Sequence, residues 1–125
     1  MKKGNPYGTH RVISPKGVLP QPADVVDNTM EIYDNEILID LKTLNIDSAS
    51  FTQVKEQAGG DKAKMAEIIK GIVAERGKMQ NPVTGSGGML IGTVEAIGEN
   101  CETDLKVGDK IATLVSLSLT PLRID

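Results

Sequence analysis

The chain has 125 residues, enough for one domain that buries roughly two-thirds of its unfolded surface. A net charge of −3 and only three aromatic residues, Tyr7, Tyr33 and Phe51, argue against binding of nucleic acid, which needs cationic surface and stacking faces. No apolar run approaches the ~20 residues that span a bilayer, and the basic start Met1-Lys2-Lys3 is followed by no apolar segment that would make a signal peptide.

Cys101 is the only cysteine, so neither an internal disulfide nor a multi-cysteine zinc site can form, and a cytoplasmic setting is expected. With so few aromatics the core has to be aliphatic. The first forty residues read as loops and short strands. Val12-Ile13, Ser14-Pro15-Lys16-Gly17 and Val18-Leu19 read as a hairpin with proline and glycine in its turn. Asp24 to Asp34 reads as an acidic, irregular connection ending in a short strand at Met30–Tyr33, and the acidic run Asp24–Asp40 as a solvated face. The clearest strand is Glu36–Leu44, with Ile37, Ile39, Leu41 and Thr43 on one side and Leu38, Asp40, Lys42 and Leu44 on the other. Ser48 or Ser50 can cap a short helix from about Ala49 to Gln57, stopped by Gly59-Gly60.

The best helix follows. Met65, Ile68, Ile69, Ile72 and Val73 form one apolar stripe between an N-cap at Asp61 and a C-terminal glycine, Gly77. Asn81-Pro82 marks the exit into a glycine-rich stretch, Gly85-Ser86-Gly87-Gly88-Met89-Leu90-Ile91-Gly92-Thr93-Val94-Glu95-Ala96-Ile97-Gly98. With Leu105-Lys106-Val107-Gly108-Asp109-Lys110-Ile111-Ala112, it reads as two strands and two glycine turns. Gly92, inside a strand pattern, predicts a bulge or a close backbone approach. Glycine-bent antiparallel strands are how a small barrel turns its corners. From Ile111 to Ile124 apolar and hydroxyl residues alternate, and the abrupt end suggests a chain cut from something longer.

The segment from Asn35 to Asp47, the run Gly92-Thr93-Val94-Glu95-Ala96-Ile97-Gly98 and the later Leu105-Lys106-Val107-Gly108-Asp109-Lys110-Ile111 resemble, in order and spacing, the signature of the medium-chain dehydrogenases. The helix at Asp61–Gly77 is an unusual insertion in that pattern. The resemblance implies a mainly β fold with inserted helices (α+β), a GroES-like, partly open β-barrel. It further implies an NAD-dependent oxidoreductase whose Rossmann domain lies outside these 125 residues. The whole-chain likeness is to members that oxidatively deaminate a small diamino acid, giving an amino-keto acid and ammonia in amino-acid fermentation. Gly85-x-Gly87 is followed by Leu90 where a dinucleotide fingerprint has its third glycine, so this chain alone is expected to bind NAD poorly and to be inactive.

Zinc-dependent members place a cysteine just after the strand and a His-Glu pair in the glycine stretch. Asp47 and Gly88-Met89 stand there instead, and no zinc is expected. The work then falls to side chains. Asp47 is the sharpest catalytic candidate, able to pair with a substrate ammonium or take its proton; capping the following helix is the competing role. Ser48 is its neighbour. Tyr7, His10, Arg11, Ser50 and Ser86 are candidates for binding substrate, with structural duties the plainer role for each. Two other readings stay open: a non-catalytic GroES-like module that binds a partner chain, and a zinc-free quinone or enone reductase domain. A homo-oligomer is compatible with this reading.

Overall fold

In a computed structural model, residues 1–124 are described. Two antiparallel sheets and two helices make a mixed α+β fold. β1 (Val12–Ser14) pairs with β2 (Val25–Val26). β3 (Ile37–Ile46), β4 (Gly88–Ile97) and β5 (Lys110–Ala112) form the larger sheet in that order. α1 (Ser48–Gln57) and α2 (Lys62–Arg76) lie between β3 and β4 in sequence. Short 3-10 turns cover Thr9–Arg11 and Leu117–Leu119. No helix among the described residues is long and apolar enough to cross a membrane.

β3 shows why strict alternation fails as a guide to its faces. Its pairing with β4 shifts twice. Glu95 is the extra residue between Ala96 and Val94, and Lys42 is the extra residue between Leu41 and Thr43. A bulge of one residue moves every later side chain to the opposite face. Ile39 and Leu41 therefore point inward before the second shift, and Leu44 and Ile46 after it. All four pack on one core with Val73, Met79, Leu90, Leu117 and Leu122. The expected pairing of Leu44 with Asp40 and Lys42 on a common face is corrected by that bulge. Gly92 sits opposite Leu41, where an added Cβ would lie 2.5 Å from the Asp40 carbonyl oxygen; this is the expected close approach.

α2 forms as its sequence dictates. The Asp61 carboxylate accepts from the Ala63 and Lys64 amides at 2.9 and 3.4 Å. Gly77 ends the helix at φ 72°, in the left-handed region, and its amide bonds the Val73 carbonyl. The stripe is buried as expected: Val73, Ile69 and Ile72 meet the sheet, and Met65, Ile68 and Ile69 meet Val54 and Ala58 of α1. Ile69 thus joins the two clusters. The core clusters contain no aromatic residue.

Four local expectations are corrected. β1 pairs with Val25–Val26 rather than Val18-Leu19, because Val26 is almost wholly buried against Val12 and Ala23 while Leu19 stays exposed. Met30–Tyr33 is not a strand; the carbonyls of residues 27, 29 and 31 bond the Arg11 guanidinium instead. The acidic run is not uniformly solvated, for Asp34 is buried and Glu36 faces Arg11. Neither serine caps α1, because the helix begins at Ser48 itself and Asp47 holds the N-cap position. As for architecture, the strands lie in two separate sheets, with β3 and β5 at the edges of the larger.

The two helical glycines differ in kind. An added Cβ at Gly71 meets nothing within 4 Å, so Gly71→Ala should stabilise the domain by about 0.5–1 kcal/mol. At Gly77 the same atom would lie 2.0 Å from the Val26 carbonyl oxygen, in a backbone region that costs L-residues roughly 1–2 kcal/mol. Gly77→Ala should therefore destabilise by at least about 2 kcal/mol. Denaturant unfolding of the two variants should shift the midpoint in opposite directions.

Candidate functional site

The seven candidate residues divide between the two ends of β3. That strand is ten residues long, about 30 Å of extended chain.

At its start lies a closed ionic cluster. The Glu36 carboxylate accepts four bonds: from Arg11 Nη2 (2.7 Å) and the Tyr33 amide (2.8 Å) on Oε1, and from Arg11 Nε (2.8 Å) and His10 Nε2 (2.9 Å) on Oε2. The Asn5 amide donates to His10 Nδ1, which makes Nδ1 an acceptor and Nε2 the protonated nitrogen of a neutral ring. Arg11 is buried, and its remaining N–H groups reach the carbonyls of Asp27, Thr29 and Glu31. All five guanidinium donors are thereby spent inside the chain. Its Cζ atom stands 4.9 Å from the centre of the Tyr33 ring, which also packs on His10. No donor on Arg11 is left to receive a substrate carboxylate. Tyr7 is 73% exposed and does not join the cluster.

Burial pushes the Glu36 carboxyl upward, but the bonds from Arg11, Tyr33 and His10 outweigh it and pull it down to about 2. A carboxyl lowered from 4.5 to about 2 on folding adds stability that is complete above pH 4.5 and lost as pH falls through 2. The gap in unfolding free energy between the wild-type chain and Glu36→Gln should reach at most about 3 kcal/mol near neutrality from this source. Acid titration of both stabilities should show it closing between pH 4.5 and 2. A gap constant over that range would contradict the assignment.

At the far end of β3 the pairing with β4 runs out through Ile46 and Gly88, and the Asp47 amide still bonds the Gly87 carbonyl at 3.0 Å. This joins the first turn of α1 to the glycine stretch. Gly87 and Gly88 serve that closeness. A Cβ on Gly87 would lie 2.6 Å from the Met79 carbonyl oxygen, and one on Gly88 1.9 Å from that of Asn45. The backbone at Asp47 thus lies beside the glycine turn that follows Ser86, with Ser48 next in the chain and Ser50 within the first turn of α1.

Their side chains are in different states. The Asp47 carboxylate occupies the N-cap position yet accepts no bond from the helix, and it has no side-chain partner among the described residues. Ser48 is exposed beside it. Ser50 is fully buried, and its Oγ lies 3.1 Å from Asn81 Nδ2, which also donates to Gln53 Oε1. Ser86 Oγ is 2.7 Å from Thr84 Oγ1. The constellation offers one free carboxylate, one free hydroxyl and a half-buried hydroxyl on a tightly held turn. Such a set can bind an ammonium group and accept a proton.

Sequence reasoning passed over two residues here. In the sequence Asn81 signals only an exit from the helix, yet a fully buried asparagine must satisfy both ends of its amide. Lys78 is likewise fully buried, donating to the carbonyls of Pro20 and Gln21 at 2.7 and 3.1 Å. Burial, reinforced by nearby Arg76, lowers its pKa to about 8. With Arg76 and Gln80 it ties residues 20–24 to the end of α2.

Among the described residues no three His, Cys, Asp or Glu side chains converge as metal ligands would. Nor does the glycine stretch fit a dinucleotide. Gly85 to Gly88 lead into a strand, whereas a pyrophosphate cradle leads into a helix whose N-terminus faces the phosphates.

Residues 10–125 match the profile of the L-erythro-3,5-diaminohexanoate dehydrogenase N-terminal domain. The chain is 75% identical over 127 aligned positions to an L-erythro-3,5-diaminohexanoate dehydrogenase of Fusobacterium nucleatum, covering all of this chain and 37% of that protein. It is 71% identical over 125 positions to the protein of the same name from Acetoanaerobium sticklandii, covering 98% of this chain and 36% of that protein. The chain thus spans little more than a third of the length of these curated relatives.

Proposed function

This chain belongs to the L-erythro-3,5-diaminohexanoate dehydrogenase N-terminal domain family, and from that premise we propose that it is the substrate-facing domain of such an enzyme. The reaction in this reading is oxidative deamination. An amine-bearing carbon of 3,5-diaminohexanoate loses hydride to NAD, and hydrolysis of the imine by water gives the amino-keto acid and ammonia. NAD is held by a Rossmann domain outside these residues, consistent with the lack of a cradle in the glycine stretch. The GroES-like barrel remains part of the proposal; the bulged, glycine-bent order β3-β4-β5 supports it. A cytoplasmic, zinc-free setting is likewise part of the proposal, given one cysteine and Asp47 where zinc-dependent members carry a ligand.

One observation carries the reading: Asp47 sits at a helix start without capping it. A carboxylate in that place ordinarily accepts the N2 or N3 amide and adds about 1 kcal/mol of helix stability. Leaving it uncommitted forgoes that gain and keeps a negative charge available at the surface next to Ser48 and Ser86. In this role Asp47 pairs with the substrate ammonium or takes its proton, Ser48 donates to the substrate, and Ser86 lines the site from the glycine turn. Ser50 supports from below. The Arg11–Glu36 cluster at the other end of β3 is assigned to stability.

The test is a chimera in which this chain replaces the matching segment of the Fusobacterium nucleatum relative. It should oxidise 3,5-diaminohexanoate with NAD and release ammonia. In that chimera Asp47→Asn should lower kcat/KM by roughly 100-fold or more. An active chimera indifferent to Asp47→Asn would remove Asp47 from the mechanism.

A further inference from the structure

Asn81 is wholly buried, and every polar atom it carries is in use. Nδ2 donates to Ser50 Oγ at 3.1 Å and to Gln53 Oε1 at 2.8 Å, both on α1. Oδ1 accepts the amides of Val83 and Thr84 at 2.8 and 3.3 Å. Its own amide donates to the Ser86 carbonyl, and its carbonyl accepts the Gly85 amide. One side chain therefore closes the 83–86 turn and fastens it to the first two turns of α1.

Beyond these bonds, Gln80 Nε2 donates to the Gly85 carbonyl at 3.3 Å, and within the turn Thr84 Oγ1 meets the Ser86 hydroxyl and amide at 2.7 and 3.3 Å. Pro82, Val83, Thr84 and Gly85 are all exposed, so no apolar anchor fixes it. The remaining tie to α1 is the single bond from the Asp47 amide to Gly87. The chemistry suits a primary amide: a planar group with two donors on one side and a two-lone-pair acceptor on the other. An aspartate lacks the donors and a leucine lacks everything.

We propose that Asn81 is a positioning residue of the candidate site, setting the distance between Ser86 on the turn and Asp47 at the helix start while touching neither side chain. The proposal rests on the reading of Asp47 as the substrate-facing carboxylate. It goes beyond it by assigning the placement of that carboxylate to a buried amide, and misplacement by about 1 Å can cost on the order of 100-fold in rate.

The experiment uses the chimera described above for kinetics and this chain for amide exchange. Asn81→Leu should lower kcat by roughly 10- to 100-fold. The amides of Val83, Thr84 and Asp47 should exchange faster, while those of β3, β4 and α2 keep their protection. Adding Asn81→Leu to Asp47→Asn should cost less than about 2-fold more, because a positioning residue adds little once the group it places is gone. Losses that multiply, or an unchanged kcat despite faster exchange at Val83 and Thr84, would overturn the proposal. If Asp47→Asn alone leaves kcat intact, it is the reading of Asp47 that fails. The clamp is then decided by exchange at the Asp47 amide: faster in Asn81→Leu supports it, unchanged overturns it. Should Asn81→Leu fail to fold, Gln53→Leu removes one of the two acceptors at a half-buried position. It should give the same pattern with a loss of about 3- to 10-fold.

Discussion

The pairing of β3 with β4 governs where everything else in the domain sits. Nine Cα pairs join the strands from Ile37↔Ile97 to Ile46↔Gly88, and two of the steps along that ladder are bulges. Without the bulge at Lys42, Leu44 and Ile46 would turn away from the face that buries Ile39 and Leu41, and α2 would have only half a sheet to cover. With it, one aliphatic face runs the length of β3 and receives Val73, Ile69 and Ile72. The glycines of β4 belong to the same arrangement. Gly92 and Gly88 face carbonyls of β3 at distances that no Cβ tolerates, so the strands approach closely where the ladder bends.

The two ends of that ladder have been put to different uses. At the Glu36 end, charge is locked away. Arg11 spends five donors and Glu36 four acceptor sites within the chain, which offsets the cost of burying an ion pair and leaves neither partner available to a ligand. At the Asp47 end charge is left open at a helix start, and the neighbouring 83–86 turn is bonded to that helix through the buried Asn81 amide. The domain is thus rigid at one end of the ladder, where its charges are satisfied, and leaves a charge unsatisfied at the other.

That asymmetry also explains how the candidate residues sort. His10 suggests substrate contact as the only histidine, and Arg11 as its cationic neighbour able to meet a carboxylate. Their partner Glu36 stands twenty-five residues from Arg11 in sequence, and local spacing gives no hint of it. Ser50 suggested a cap, and its burial under Asn81 is set by a contact thirty-one residues away. In both cases the deciding partner is distant along the chain.

What the sequence determined by itself is whatever depends on neighbours within a turn or two: α2 with its Asp61 and Gly77 ends, the aliphatic core imposed by the shortage of aromatics, the strand at 36–44, the two strands of the glycine stretch and the close approach at Gly92. Each follows from side-chain periodicity, capping chemistry or steric exclusion. The tertiary structure decided the rest. It chose Val25–Val26 over Val18-Leu19 as the partner of β1, because burial against Ala23 outweighs turn propensity. It moved Leu44 to the core by a bulge that alternation cannot foresee, since a bulge is a property of two paired strands. And it left Asp47 free while consuming Arg11, because whether a charged group is satisfied depends on which distant groups the fold delivers to it.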